Sequence, residues 1–214
     1  MKNLISIILL LLSLSTLAQD PLRFQEEVSK FENAASLYPD EDRIVFTGSS
    51  SIRLWIDFKS YFPNHNVINT GFGGSETSDL IYYQDLLIKQ YKPKQVFIYE
   101  GDNDTNSGKK SGAIIKDLKI LIKSLKKEGI EDIVLISAKP SIARWELKAA
   151  YERLNKKIER LTNKDEYLRY ADVWSIMLNE NGELKPNLFI EDNLHMNKKG
   201  YDLWIQVIEP LLHK

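Results

Sequence analysis

Short, nearly unbroken apolar runs alternate along this chain with longer stretches whose apolar residues recur at helical spacing. The runs cover residues 43–47, 66–69, 95–99, 132–137 and 167–170. β-branched and aromatic residues dominate them, and Gly48, Gly71 and Gly101 close the first three. Each therefore reads as a strand covered on both faces rather than one half-exposed to water. Helical spacing marks 22–35, 80–91, 113–127, 143–161 and 197–212, the last with Asn197 placed as an N-cap. Strands that alternate with helices imply a parallel sheet. Right-handed crossovers then make a three-layer α/β/α sandwich of about five strands the economical α/β arrangement.

The amino end departs from this pattern. Met1-Lys2-Asn3 precedes an apolar run over 4–17 that ends at Ala18, with Asp20-Pro21 just beyond. A positive start, a short apolar stretch and a small residue at the cut describe a secretory signal. The run is too short for a bilayer span, which needs roughly 20 apolar residues. The expected organisation is a signal peptide over 1–18, a leader helix within 19–42 and a catalytic-type domain over 43–214. It leads to a periplasmic or secreted protein with no stable membrane anchor after cleavage.

Composition narrows the field. The 214 residues include no cysteine, so disulfides, thiolate zinc sites and a cysteine nucleophile are excluded. The 29 basic and 30 acidic side chains give a net charge of −1, which offers no field for nucleic acid. The lysines between 116 and 127 read as a solvated helix face.

Three polar motifs begin just past the carboxyl ends of expected strands, the edge where open α/β sheets bind ligands. Phe46-Thr47-Gly48-Ser49-Ser50-Ser51-Ile52 turns from a strand toward a helix. Its serines could cap that helix or supply a hydroxyl beside free N–H groups. Asn69-Thr70-Gly71-Phe72-Gly73-Gly74-Ser75 is a loop in which backbone can approach a ligand, yet it fits neither a dinucleotide fingerprint nor a phosphate loop. Glu100-Gly101-Asp102-Asn103-Asp104 lacks calcium-loop spacing and offers Asn103 as an amide donor for developing negative charge. A fourth motif, Asp192-Asn193-Leu194-His195, joins a carboxylate to an imidazole, though it could equally be a surface histidine near a helix cap. His65 and His213 suit a base less well, one lying between elements and the other at the terminus.

With these residues in view, the chain resembles the SGNH hydrolases, also called the GDSL esterase/lipase superfamily. The branch related to platelet-activating-factor acetylhydrolases and lysophospholipase-L1-like proteins looks nearest. Gly48-Ser49-Ser50-Ser51 matches the first block, the last glycine of Asn69–Gly74 the second, Gly101-Asp102-Asn103-Asp104 the third and Asp192–His195 the fifth. The resemblance implies a serine ester hydrolase with Ser50 as nucleophile, His195 as base and Asp192 as its orienting carboxylate. It implies an oxyanion hole from the N–H groups of Ser50 and Gly74 and the Asn103 amide, with no metal or organic cofactor. The family's usual aspartate before the nucleophile is Ser49 here. Implied substrates are small esters, an acetylated sugar or a lysophospholipid, and Trp55, Phe72 and Trp145 could line a sugar subsite or simply pack the core. Two rivals remain: a non-catalytic carbohydrate-binding protein on the same fold, and a metal-dependent phosphate-ester hydrolase using Asp102 and Asp104.

Overall fold

The computed structural model of the protein describes residues 20–213. The expected signal segment over 1–18 lies outside the described residues. Five strands form one parallel sheet: β1 (Arg43–Gly48), β2 (Asn66–Asn69), β3 (Gln95–Tyr99), β4 (Ile133–Ile136) and β5 (Leu168–Ala171). Their order is β2-β1-β3-β4-β5. Register is fixed by pairs such as Val45 with Ile68 on one side and Val45 with Val96 on the other. Strand order reverses between β1 and β3, and the crevice outside such a switch point is where this class of sheet holds ligands.

Both faces of the sheet are buried, which is why the strands carry no polar alternation. Val45, Val96, Ile98, Ile133 and Leu135 face a largely aliphatic layer built from α3 (Thr77–Leu87), α5 (Ser111–Lys127) and α6 (Lys148–Thr162). On α5, Ile114, Leu118, Leu121, Ile122 and Leu125 supply the inward stripe while its lysines stay outside. The alternate residues Ile44, Phe46, Phe97, Tyr99, Val134 and Ile136 face the other layer. That layer holds α2 (Ser50–Arg53), α7 (Val173–Ile176) and α8 (Lys198–Ile208), and it is strongly aromatic. Phe46 and Phe97 are register partners on β1 and β3, and their rings stack at 4.2 Å. Trp204, fully buried on α8, packs edge-on to Trp55 at 5.9 Å. Asn197 caps α8, its side chain accepting from the N–H groups of Lys199 and Gly200.

Four expected helices are interrupted. The expected leader helix is two 3₁₀ turns, Pro21–Phe24 and Ala34–Leu37, around a short α1 (Gln25–Ser29). It also does not stand apart from the domain, because Phe24, Val28, Phe31 and Ala34 belong to the aliphatic core. Buried Arg43 fastens its end, donating to the carbonyls of Pro39, Ala35, Tyr38 and Tyr91. The helix expected over 143–161 begins as a 3₁₀ segment, Ile142–Leu147, bent at Arg144, and only then becomes α6. The third and fourth departures are at the ends of α3 and α8, where Lys89–Tyr91 and Glu209–Leu211 form separate 3₁₀ turns. In the reverse direction, the expected loop around Asn103 is the first turn of a short helix, α4 (Asp102–Asn106).

Candidate active site

Ser50 opens α2 directly after β1. The turn between them requires Gly48, whose φ of +116° is a conformation few side-chain-bearing residues adopt. A Cβ there would lie 2.0 Å from the carbonyl oxygen of Tyr99. The Ser49 N–H then donates to that same carbonyl at 3.1 Å, pinning the turn against the end of β3. As the first residue of a helix, Ser50 presents an N–H without an intrahelical acceptor.

The histidine arrives from the loop between α7 and α8. Asp192 Oδ1 accepts from the N–H groups of Leu194 and His195, each at 2.9 Å, closing a tight side-chain-stabilised turn. Asp192 Oδ2 lies 2.5 Å from His195 Nδ1, and His195 Nε2 lies 2.9 Å from Ser50 Oγ. Desolvation pushes the Asp192 carboxyl up, but its bonds from the His195 ring and the two backbone N–H groups outweigh it and hold the group near a pKa of about 2. An ionised Asp192 accepts only, so Nδ1 carries the proton and Nε2 accepts from the serine hydroxyl. Ser50, Asp192 and His195 therefore form one continuous hydrogen-bonded chain.

Gly74 follows β2 in an exposed turn with φ +72°, and a Cβ added there would meet nothing within 4 Å. Glycine is needed here for backbone conformation, and the space above it is open. The loop is tied to the Ser50 turn by Phe72 N–H on the Gly48 carbonyl at 2.9 Å and by Asn69 Nδ2 on the Ile52 carbonyl at 2.7 Å. Below it, Ser75 Oγ donates to Glu100 Oε1 at 2.8 Å. Burial, reinforced by the charge of Asp104, pushes the Glu100 carboxyl well above the usual range.

Asn103 comes from the end of β3, the strand beside β1. Its Nδ2 donates to Ser49 Oγ at 2.7 Å and to the Ser75 carbonyl at 2.9 Å. These two acceptors are the immediate neighbours in sequence of Ser50 and Gly74, so the amide sits between the two turns that carry them. All five expected site residues are thus gathered at one edge of the sheet.

The other sequence expectations divide. Trp55 and Phe72 are 3% and 0% exposed and serve the core. Trp145 is partly buried and stacks on Trp174. The acidic motif is not free for a metal: Asp102 accepts from Tyr99, Tyr151 and Arg144, and Asp104 from Thr77 and Lys109. Sequence reasoning missed Ser49 as an acceptor for Asn103, and it missed Lys139, Arg144 and Glu100. Lys139 and Arg144 follow the carboxyl end of β4, so the same edge rule that found the serine could have flagged them.

The profile of the GDSL-like lipase/acylhydrolase family matches residues 48–203. No curated protein matches the chain. Among solved structures, a provisionally assigned platelet activating factor from Streptococcus pneumonia is similar at 21% identity and TM-score 0.79, over 90% of this chain and 94% of that one. A GDSL-like lipase from Bacteroides thetaiotaomicron is similar at 20% identity and TM-score 0.72, over 86% and 96% of the two chains. A variant of an acetyl xylan esterase from Geobacillus stearothermophilus is similar at 13% identity and TM-score 0.66, over 80% and 94%. At these identities the structural likeness speaks to the fold, whereas the family match spans most of the sequence, from the Gly48–Ser50 turn to α8. The chain belongs to the GDSL-like lipase/acylhydrolase family and is a carboxylic ester hydrolase.

Proposed function

We propose that this protein is an exported esterase that removes short acyl groups from small alcohols, with acetylated carbohydrate as the substrate class. The observation that carries the reading is the unbroken Ser50–His195–Asp192 hydrogen-bond chain beside the Asn103 amide. Ser50 Oγ attacks the ester carbonyl while His195 Nε2 takes its proton, and ionised Asp192 stabilises the resulting imidazolium. The carbonyl π electrons move to oxygen, and the N–H groups of Ser50 and Gly74 with Asn103 Nδ2 receive that oxyanion. Both Asn103 amide protons are engaged at rest, so the donor enters the reaction by exchanging one acceptor for the oxyanion. The rotatable Ser49 hydroxyl is the readier acceptor to yield, since it can turn and bond elsewhere. His195 then protonates the departing alcohol, and water repeats the sequence on the acyl-Ser50 ester.

Two features support the substrate class. The apolar segment over 4–17 reads as an export signal, which would bring the enzyme to external glycans, and the fold is shared with an acetyl xylan esterase. The chain purified from the culture or periplasm should begin at Gln19 by mass spectrometry. Ser50→Ala should lower turnover of p-nitrophenyl acetate by at least about 10⁴-fold with an unchanged circular-dichroism spectrum. Retained turnover in that variant would remove Ser50 from the role. Acetylated xylo-oligosaccharides should be deacetylated faster than lysophosphatidylcholine is cleaved, and the opposite ranking would assign the enzyme to phospholipids.

A further inference from the structure

We propose that Arg144 is a positioning residue for the oxyanion donor, fixing the Asn103 amide through a buried junction at Asp102 that also grips the histidine loop. The inference rests on the reading of Asn103 as an oxyanion donor.

A side-chain amide can face either way, and only its surroundings decide which end meets the substrate. Arg144 donates to Asn103 Oδ1 from both terminal nitrogens, at 3.2 and 3.1 Å. A guanidinium has donors and no acceptor, so only the oxygen of the amide can face it. Turning the amide over would set its NH₂ group against these N–H donors. Arg144 therefore commits Nδ2 to the opposite side, toward Ser49 and Ser75, where the nucleophile's turn and the Gly74 turn meet. A cation on Oδ1 also draws electron density from the amide and strengthens Nδ2–H as a donor.

The arginine is itself held. Its side chain is 13% exposed and donates to Asp102 Oδ1 at 2.6 Å. Asp102 is buried on α4 and further accepts from Tyr99 at 2.8 Å and Tyr151 at 2.7 Å. Its second cation is Lys139, 3.6 Å away and 1% exposed. Burial raises the Asp102 carboxyl, but the two cations and the tyrosine hydroxyls more than offset this and leave it below the usual range. Lys139 Nζ then donates at 2.8 Å to the carbonyl of Leu194, the residue before His195. Ala143 N–H donates at 3.0 Å to the Asn193 carbonyl in the same loop. One short segment after β4 thus holds the amide donor with Arg144 and the base's loop with Lys139 and Ala143.

The test is a kinetic cycle on the mature chain with p-nitrophenyl acetate, using Asn103→Ala, Arg144→Ala, Arg144→Lys and the Asn103→Ala/Arg144→Ala pair. Melting temperatures are measured alongside to confirm that each variant is folded. Arg144→Ala should lower kcat about 10–100-fold, as loss of a support to a site residue generally does, with KM changed less than about twofold. In the Asn103→Ala background the same change should cost less than about twofold in kcat, since nothing remains to orient. Arg144→Lys keeps a cation and should recover part of the loss at an equal melting temperature. A kcat loss of equal size in both backgrounds would overturn the proposal, as would a KM effect with kcat intact, which would make Arg144 a substrate contact. If Asn103→Ala alone retains wild-type kcat, the oxyanion reading fails instead.

Discussion

The half of the site proposed to transfer protons and the half proposed to receive the oxyanion are built by opposite means. Asp192 and His195 lie on one loop at the surface, with side chains 41% and 21% exposed, and their geometry comes from a local turn. Asn103 is held from three other segments, by the Ser49 hydroxyl, the Ser75 carbonyl and the Arg144 guanidinium, and the Asp102 beneath it is buried. Proton transfer needs two atoms in line, which a turn can supply. Receiving an oxyanion needs a donor that does not reorganise when charge appears, and that calls for surrounding structure. Mutations in the first half should therefore remove activity without stability, whereas those in the second should remove both.

His195→Ala is the largest expected effect. Turnover should fall by up to about 10⁶-fold, as when a catalytic base is removed from a serine enzyme. The urea midpoint should move little, because the His195 ring stands in a surface loop outside both hydrophobic layers, where substitutions usually cost little. A large loss of stability would break the contrast. Asp102→Asn comes next, leaving Arg144 and Lys139 facing each other without their anion. Breaking one partner of a buried pair costs about 3–5 kcal/mol. Urea unfolding should record that loss, and kcat should fall with it. Glu100→Gln is the smallest change and sharpens the comparison. The carboxyl's folded pKa is raised by burial, so the native state must keep a proton that the unfolded chain releases above its ordinary 4.5. Wild-type stability therefore declines as pH rises from there toward the raised value, and the glutamine variant, which has no such proton, should gain on it over that window. A stability difference independent of pH would place an ionised Glu100 in the fold.

Much of this was legible in the sequence because strands buried on both faces announce themselves as short apolar runs. Phe46 and Phe97 belong to such runs, and their rings stack across neighbouring strands. The five site residues were legible because each follows a turn or sits in a compact motif. The supports were not. Lys139 and Arg144 look like ordinary surface charges in one dimension, and only Asp102, more than 35 residues earlier in the sequence, explains their burial. The bend at Arg144 was hidden because residues 143–161 keep helical apolar spacing across it. The replacement of the family's aspartate by Ser49 is also intelligible only in three dimensions, where its hydroxyl accepts from Asn103.

The amino-terminal segment has a consequence for anyone shortening this protein. Glu27 accepts from the Gly73 N–H at the carboxyl end of the sheet, and the carbonyls of Ala35, Tyr38 and Pro39 receive Arg43 at the opposite end. Residues 20–42 thus work as a strap buckled at both margins. Cutting the chain at 43, where a motif search would start the domain, would strip Phe24, Val28 and Phe31 from the interior and release the glycine turn from its tether.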